Sequence, residues 1–204
     1  MTSHKSRRLG ENVVTAGTVG PAEDTALDPE EQLLKNFRNI CRFCGSTFKS
    51  KKSVRSSSPE GQYALAALGR FARRIQRLAP IPDGCSALIS KGQSNLPSVL
   101  WIAITKNGRL VSDGPSVAIC FGSQGDGAVV GLMDSATFKS AELTTVLRTG
   151  TRKKIIDVDG PKTSYNDRFV NPMEIFASEK SAKRFVEHLR KSMLLLEKHY
   201  ALKK

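Results

Sequence analysis

Hydrophobic positions recur every three or four residues in three stretches of the chain, the spacing that places side chains on one face of a helix. The first stretch, "PEEQLLKNFRNICRFCG", opens with a proline and two glutamates that suit a helix start. The second, "PEGQYALAALGRFARRIQRL", carries its arginines largely opposite the apolar face. The third, "SEKSAKRFVEHLRKSMLLLEKHY", has the clearest pattern, with an apolar stripe of Phe185, Leu189, Met193 and Leu196.

Between the second and third stretches, the pattern changes to that of β-strands. The segments "SALIS", "VLWIAIT", "SVAICFG" and "AVVGLMD" are rich in strand-forming residues and alternate with "KGQSNLPS", "KNGRLVSDGP" and "SQGDG", which have turn chemistry. Connections this short join antiparallel strands. Further along, "SAELTTVLRTG" predicts a short helix and "RKKIIDVDG" a weak strand. The pattern therefore predicts an α+β fold, with a mostly antiparallel sheet flanked by amphipathic helices.

The domain organisation follows from where this periodicity begins. Residues 1–32 are polar, small and charged without a sustained period, and they predict a disordered N-terminal arm. Residues 33–60 form a basic segment that contains a Cys-x-x-Cys motif. Residues 61–204 predict one α+β domain, a size that fits a chain of 204 residues.

The charge is high and concentrated. The net charge is +13 and the sequence pI is about 9.9. Between Phe37 and Leu78 the chain has ten basic residues and one acid, Glu60, which favours a nucleic-acid partner over a surface that is merely lysine-rich. The residues predicted to contact phosphates are Lys51, Lys52, Arg70, Arg73, Arg74 and Arg77.

The hydropathy of the chain and its small number of cysteines indicate the cellular compartment. No run of 18 apolar residues exists, so we expect no membrane association. The first residues lack the apolar core of a secretion signal, and four cysteines are too few to indicate a disulfide framework. We expect a cytoplasmic protein, nucleoid-associated in a bacterium, or a nuclear protein in a eukaryote.

The motif "CRFCG" has the spacing of half a structural zinc site, with Cys41 and Cys44 as its ligands. A closed site needs four ligands, and no second Cys-x-x-Cys follows. Cys85, Cys120, His4 or another chain would have to complete it. A structural zinc ion is therefore one hypothesis, and two unligated thiols in a basic loop are the other.

Evidence for catalysis is sparse, and we predict no catalytic residue. His188 and His199 fall on the last predicted helix, where a solvent-exposed face is the simpler interpretation. The stretch "GSQGDG" predicts a hairpin turn rather than a phosphate-binding loop, because no helix follows it. Asp157 and Asp159, with Lys162 nearby, leave a magnesium-dependent nuclease as an alternative.

Trp101, the only tryptophan, follows a polar, glycine-bearing loop in "ISKGQSNLPSVLWIAI". Apolar residues on both sides of its strand make a core position the commoner interpretation. A pocket wall is the alternative, because the loop before it has small and amide residues and few charges.

From about residue 61 onward the chain resembles the N-terminal DNA-binding domain of McrB, the specificity subunit of the methylcytosine-dependent restriction system. The resemblance rests on the stretches "ALISKGQSNLPSVLWIAI", "DGPSVAICFGSQGDGAVVGL" and "RFVEHLRKSMLLLEKHY" and on the order of elements. It implies that a modified cytosine flips out of duplex DNA into a pocket lined by a strand tryptophan, a tyrosine and an aliphatic residue. In that family, an aromatic residue of the polar loop also wedges toward the base stack.

Carried over residue by residue, the resemblance assigns the pocket tryptophan to Trp101. It places Ser116 at the pocket tyrosine and Cys120 near the aliphatic wall. Within the loop, Gly92 and Asn95 match the family's glycine and asparagine, whereas Gln93 stands where the wedge aromatic should be. The serine and the glutamine depart from the family pattern, which leaves a roomier or more polar pocket and puts the specificity for methylcytosine in doubt.

The resemblance thus implies a reader of modified cytosine whose partner is modified duplex DNA. The chain carries no nucleotide-binding P-loop and no convincing nuclease motif, so we expect any effector nuclease or NTPase to act in trans. Two alternatives stay open. One is a zinc-stabilised nucleic-acid-binding or adaptor module in which Trp101 is only core, and the other is the magnesium nuclease.

Overall fold

The computed structural model describes residues 28–48, 53–92, 94–97, 99–107, 114–133, 169 and 171–201. The helices in these residues are α1 (Pro29–Thr47), α2 (Pro59–Leu78) and α3 (Lys183–Ala201). The strands are β1 (Cys85–Ile89), β2 (Trp101–Lys106), β3 (Ser116–Phe121), β4 (Gly127–Met133) and β5 (Met173–Phe176). The prediction of an α+β fold with a mostly antiparallel sheet and flanking helices is confirmed.

The five strands form one sheet in the order β1-β2-β3-β4-β5, and every neighbouring pair is antiparallel. The predicted hairpin turn joins β3 to β4, where the Gly122 N–H donates to the carbonyl oxygen of Gly127 at 2.9 Å. The sequence pattern does not predict strand β5. The predicted short helix near residue 145 and the predicted weak strand near residue 155 lie outside the described residues.

The main core lies between one face of the sheet and the helices. Four phenylalanine rings meet there: Phe37 of α1, Phe71 of α2, Phe121 of β3 and Phe185 of α3. The ring centroids of Phe37, Phe71 and Phe121 are 5.7 to 6.1 Å apart, and Phe185 stacks on Phe71 at 6.0 Å. All four side chains are buried, so a single cluster joins three helices to the sheet.

Helix α1 is part of this core, which corrects the predicted division of the chain. The prediction makes residues 33–60 a segment separate from the domain, yet α1 packs against α2 and contributes to the same hydrophobic cluster. The apolar stripe of α1 is too large to be left in water. The helix also begins at Pro29, inside the predicted arm, where the Asp28 carboxylate accepts from the Glu30 N–H at 3.0 Å.

The motif "CRFCG" lies within α1 and faces the β3–β4 hairpin. Gly125 has φ +76°, and a Cβ placed on it would lie 2.4 Å from the carbonyl oxygen of Cys41 and 2.7 Å from the Cα of Gly45. A Cβ on Gly45 would in turn lie 2.9 Å from the carbonyl oxygen of Gln124. Glycine is therefore required on both sides of this contact, because the two backbones touch.

Three arginines hold the helices in place through main-chain carbonyls. Arg38 donates to the carbonyl oxygens of Ala177 at 3.3 Å and Glu179 at 2.6 Å. Arg74 donates to the Gln32 carbonyl oxygen at 2.9 Å, and Arg190 donates twice to that of Leu78, the last residue of α2. A cation at a helix C-terminus is favourable because the carbonyl dipoles point toward it.

Among the described helices, none combines the length and the apolar composition needed to cross a membrane.

The contact between α1 and the hairpin gives a test with an internal control. Gly125→Ala should destabilise the protein by ~3 kcal/mol or more, because it adds a steric clash to backbone strain. Gly84 has a similar φ of +75°, but a Cβ at that position would meet nothing within 4 Å. Gly84→Ala should therefore cost only about 1 kcal/mol, the strain alone. Urea unfolding midpoints measure both, and equal losses would contradict the close contact.

Candidate nucleic-acid interface

Trp101 opens β2 at the point where the β1–β2 loop returns to the sheet. The Ser90 N–H donates to the Trp101 carbonyl oxygen at 2.9 Å, and the Trp101 N–H donates to the Ser90 hydroxyl at 2.9 Å. Ser90 itself is buried. This pair closes the loop and fixes the tryptophan backbone, while the indole is only half-buried.

The indole lies on the side of the sheet opposite the helices. Trp101 is the register partner of Cys120, and Cys120 is the partner of Val129, so all three share one face. The intervening residues Ile102 and Ile119 belong to the helix-side core. We call the surface that carries these three residues the Trp101 face. It has a hydrophobic cluster of its own: Val99, Ala118, Cys120, Val129, Met133 and Phe169, with Trp101 packed against it.

The predicted base pocket is brought together only in part. Trp101 and Cys120 are cross-strand neighbours, as a shared pocket requires. Ser116 is on the same face but four residues from Cys120 in β3, about 13 Å along the strand, and it pairs with Met133. Ser116 is fully buried, and its hydroxyl has no hydrogen-bond partner among the described residues. Ser116 therefore does not lie beside Trp101, although the predicted pocket requires it.

The glycine-bearing loop is fastened to the residues that precede α2. The Ser56 hydroxyl donates to the Lys91 carbonyl oxygen at 2.8 Å, and the Ser56 N–H donates to that of Ser94 at 2.9 Å. Gly92 has φ +65°, and a Cβ on it would lie 1.8 Å from the carbonyl oxygen of Asn95. Gly92 and Asn95 are exposed, as a contact with DNA requires. Gln93 lies outside the described residues.

These ties bring the loop, Trp101 and the beginning of α2 to one end of the molecule. Arg55 is exposed there and forms an isolated bridge with Asn95. The Ser58 hydroxyl caps α2 by accepting from the Gly61 N–H at 3.1 Å. We call residues 53–58, 91, 92 and 94–96, together with Trp101, the loop end. The N-terminus of a helix and an exposed arginine both favour anionic ligands such as phosphate.

The residues predicted to bind phosphates do not form one surface with Trp101. Arg70, Arg73 and Arg77 are exposed on α2, whose buried residues face the other helices and the sheet. The Trp101 face is on the other side of that sheet. Arg74 is half-buried and bound to Gln32, which gives it a role in the fold. Lys51 and Lys52 lie outside the described residues.

Both cysteines predicted as zinc ligands are in the core. Cys41 is 1% exposed and Cys44 0%, and burial raises the pKa of the Cys41 thiol to about 12, with the Asp126 charge adding to the effect. Burial likewise raises the pKa of Cys44, and the neighbouring Cys41 adds to it. Zinc binds thiolates, so this environment opposes it. Within the described residues, no group of three or more His, Cys, Asp or Glu side chains is placed to hold a metal ion.

Both histidines of α3 have structural surroundings rather than the predicted exposed face. His199 is 8% exposed. His188 is half-buried with its Nε2 2.9 Å from the Asn171 carbonyl oxygen, and burial lowers its pKa. The Asn171 side chain also accepts from the Leu132 N–H and donates to Ser192, so it connects β4 to α3. The candidate nuclease residues Asp157, Asp159 and Lys162 lie outside the described residues.

Sequence reasoning did not single out two exposed aromatic residues. Tyr63 on α2 is 49% exposed, and its ring centroid lies 6.4 Å from that of Phe43. Phe176 at the end of β5 is 37% exposed and is paired with Gly127, on the same side of the sheet as Trp101. Tyr63 fits the apolar spacing of α2, so the periodicity alone assigned it to the buried face.

No protein-family model, curated protein or solved structure gives a significant match to this chain.

The surroundings of the thiols predict how the cysteines react. The thiolate is the reactive form and burial raises the pKa of Cys41 and Cys44, so both should resist alkylation at pH 8 in the folded protein. Cys120 is 1% exposed and should be out of the reagent's reach. Burial raises the pKa of Cys85 as well, but this residue is only half-buried, so it should be the site that reacts. Mass spectrometry after iodoacetamide treatment should find one modified thiol in native protein and four in denaturant, with Cys85→Ser as the control. Rapid labelling of Cys41, or one bound zinc per chain, would contradict the packing role.

The raised pKa values also predict a dependence of stability on pH. An unfolded thiol ionises near pH 9, whereas folded Cys41 stays neutral to about pH 12. The stabilisation is present below pH 9 and is lost as the pH rises from about 9 toward 12, because only the unfolded chain releases the proton there. In Cys41→Ala, urea unfolding should show a smaller loss of stability over this range than in the wild type. An unchanged slope would contradict the prediction.

Proposed function

We propose that the protein binds duplex DNA at its loop end and reads modified cytosine by stacking a flipped base on Trp101. The observation that supports this proposal is the position of the indole. It is half-buried where an exposed glycine and amide loop joins the sheet, on the face away from the helices. A tryptophan that served only the main core would face the helices, as Ile102 and Ile104 do.

Stacking supplies the energy that base flipping needs. Extruding a base costs a few kcal/mol, and stacking on an aromatic side chain returns about 1–3 kcal/mol per base. The neighbouring positions, Cys120 and Val129, are smaller than an aromatic residue. The site thus offers one stacking wall, the exposed part of the indole, over small apolar side chains that are themselves buried.

Contacts to the duplex itself come from the loop. Gly92, Ser94 and Asn95 are exposed, and Arg55 is beside them. Main-chain and amide groups of the loop hydrogen-bond to the DNA backbone and to base edges. Because residues 53–56 hold the loop in place, little conformational entropy is lost on binding. Cutting or remodelling of the DNA is left to a separate effector.

Binding to one duplex in four versions tests this function. The cytosine is unmodified, 5-methylated, 5-hydroxymethylated or glucosylated, and the salt is about 0.15 M because salt sets the non-specific affinity. The wild type should prefer one modified duplex by about tenfold or more, which corresponds to about 1.4 kcal/mol. Trp101→Ala should lose this preference and keep the affinity for plain DNA, whereas Trp101→Phe should retain part of it.

Phe176→Ala serves as the matched control, since it removes another aromatic residue from the same side of the sheet. It should leave the preference unchanged. Equal, salt-sensitive binding to all four duplexes, or a Trp101→Ala protein that loses plain and modified DNA to the same extent, would reject base reading. Urea unfolding of each variant separates lost binding from lost folding.

A further inference from the structure

Helix α2 presents a narrow exposed stripe that the base-reading site does not use. Its members follow one another at intervals of three and four residues, so they line one side of the helix over about 21 Å. All are exposed, and no acidic residue occurs between Gly61 and Leu78. We call them the α2 stripe: Tyr63, Ala66, Arg70, Arg73 and Arg77.

The arginines of the stripe differ from those that stabilise the fold. Arg38, Arg74 and Arg190 each donate to main-chain carbonyls of another element. Arg70, Arg73 and Arg77 have no hydrogen bond or ion pair with any other described residue. Three guanidinium groups in a row, without a partner among the described residues and without an acid between them in α2, are complementary to a line of phosphates.

Tyr63 extends this complementarity toward the beginning of the helix. Its ring is 49% exposed and is supported by Phe43, at a centroid distance of 6.4 Å. A tyrosine held in this way offers a hydroxyl to a phosphate oxygen, one of the side-chain donors that contact the DNA backbone. The occupant best matched to the stripe is therefore a phosphate backbone.

The stripe and the Trp101 face point away from each other. Between them lie the sheet and a helix layer about 10 Å thick. The arginines point outward from the helix side, whereas Trp101 is on the opposite side of the sheet. A straight duplex that reaches Trp101 therefore does not lie along the stripe.

We propose that the α2 stripe is a second DNA-binding surface, which holds the phosphate backbone of a duplex segment other than the one at Trp101. The part of this proposal that concerns two segments rests on the function proposed above. One molecule then bridges two segments, with base recognition on one side and sequence-independent backbone contact on the other.

The single tryptophan allows the two surfaces to be measured separately. Quenching of Trp101 fluorescence by a modified duplex reports the loop end alone. Bridging is measured by immobilising that duplex and counting a labelled, unmodified second duplex retained with the protein. The variant Arg70→Gln/Arg73→Gln/Arg77→Gln should keep the quenching within about twofold of the wild type and lower the capture of the second duplex at least tenfold.

Loss of the stripe should also change the salt dependence. Each phosphate contact contributes about 0.9 to the slope of log K against log salt, so the triple variant should bind unmodified duplex with a slope smaller by about 2 to 3. The matched control, Lys183→Gln/Arg184→Gln/Lys191→Gln, removes three charges from exposed positions of α3. It should retain both capture and slope, because the stripe is intact.

Several results would overturn the proposal. A triple variant that captures the second duplex as the wild type does shows that the stripe is not a DNA surface. If the triple variant loses quenching and capture to the same extent, the α2 stripe and the loop end form one continuous DNA-binding surface. If the triple variant no longer binds vesicles that contain anionic lipid but captures the second duplex as the wild type does, the stripe is a membrane-binding surface instead. Restored capture when the triple variant is mixed with Trp101→Ala would place the bridging in a dimer of chains.

Failure of base reading is distinguishable from failure of the stripe. If Trp101 fluorescence does not respond to any duplex, the function proposed above fails. Salt-dependent binding of unmodified duplex that the triple variant loses and the α3 control keeps would still support the stripe as a DNA-binding surface. Equal binding by both variants would overturn it.

Discussion

A cluster of four phenylalanine rings determines how the three described helices pack on the sheet. Phe37 of α1 and Phe71 of α2 both contact Phe121 on the sheet, and Phe185 of α3 stacks on Phe71. Because all three helices pack against the same face, the sheet has two unlike sides. The helix side holds the main core, and the other side holds the smaller cluster around Trp101. Any ligand of the tryptophan therefore approaches from the side that the described helices leave uncovered.

The basic charge serves two purposes that the composition does not separate. Some arginines act as donors within the fold, where carbonyl groups at helix ends and in turns need partners. Others extend from α2 into solvent and form a charged surface on the exposed side of that helix. The distinction depends on which face of a helix carries the residue and on what stands opposite. Net charge alone consequently overstates how many of the basic side chains are available for contacts outside the fold.

Periodicity predicted the three helices and four strands because burial repeats with the geometry of each element. It did not reveal β5, since "MEIF" is too short to establish an alternation. The Cys-x-x-Cys spacing fits two different structures. Cysteines three residues apart can bind the same metal ion, but they can equally lie on the buried face of a helix, as they do in α1. The Trp101–Cys120 pair follows from the resemblance, but the separation of Ser116 required the strand register. The opposite placement of the arginines and the tryptophan required the tertiary packing.

The hydrogen bonds between residues 53–56 and the β1–β2 loop have a consequence for substitutions in that loop. Ser56 holds the main chain at Lys91 and at Ser94, and the turn at Gly92 packs against the main chain of Asn95 with no room for a Cβ. Because main-chain groups accept these bonds, the exposed side chains of Ser94 and Asn95 can be exchanged at little cost in folding. The described part of the loop can therefore change its surface chemistry while its path over the sheet stays the same.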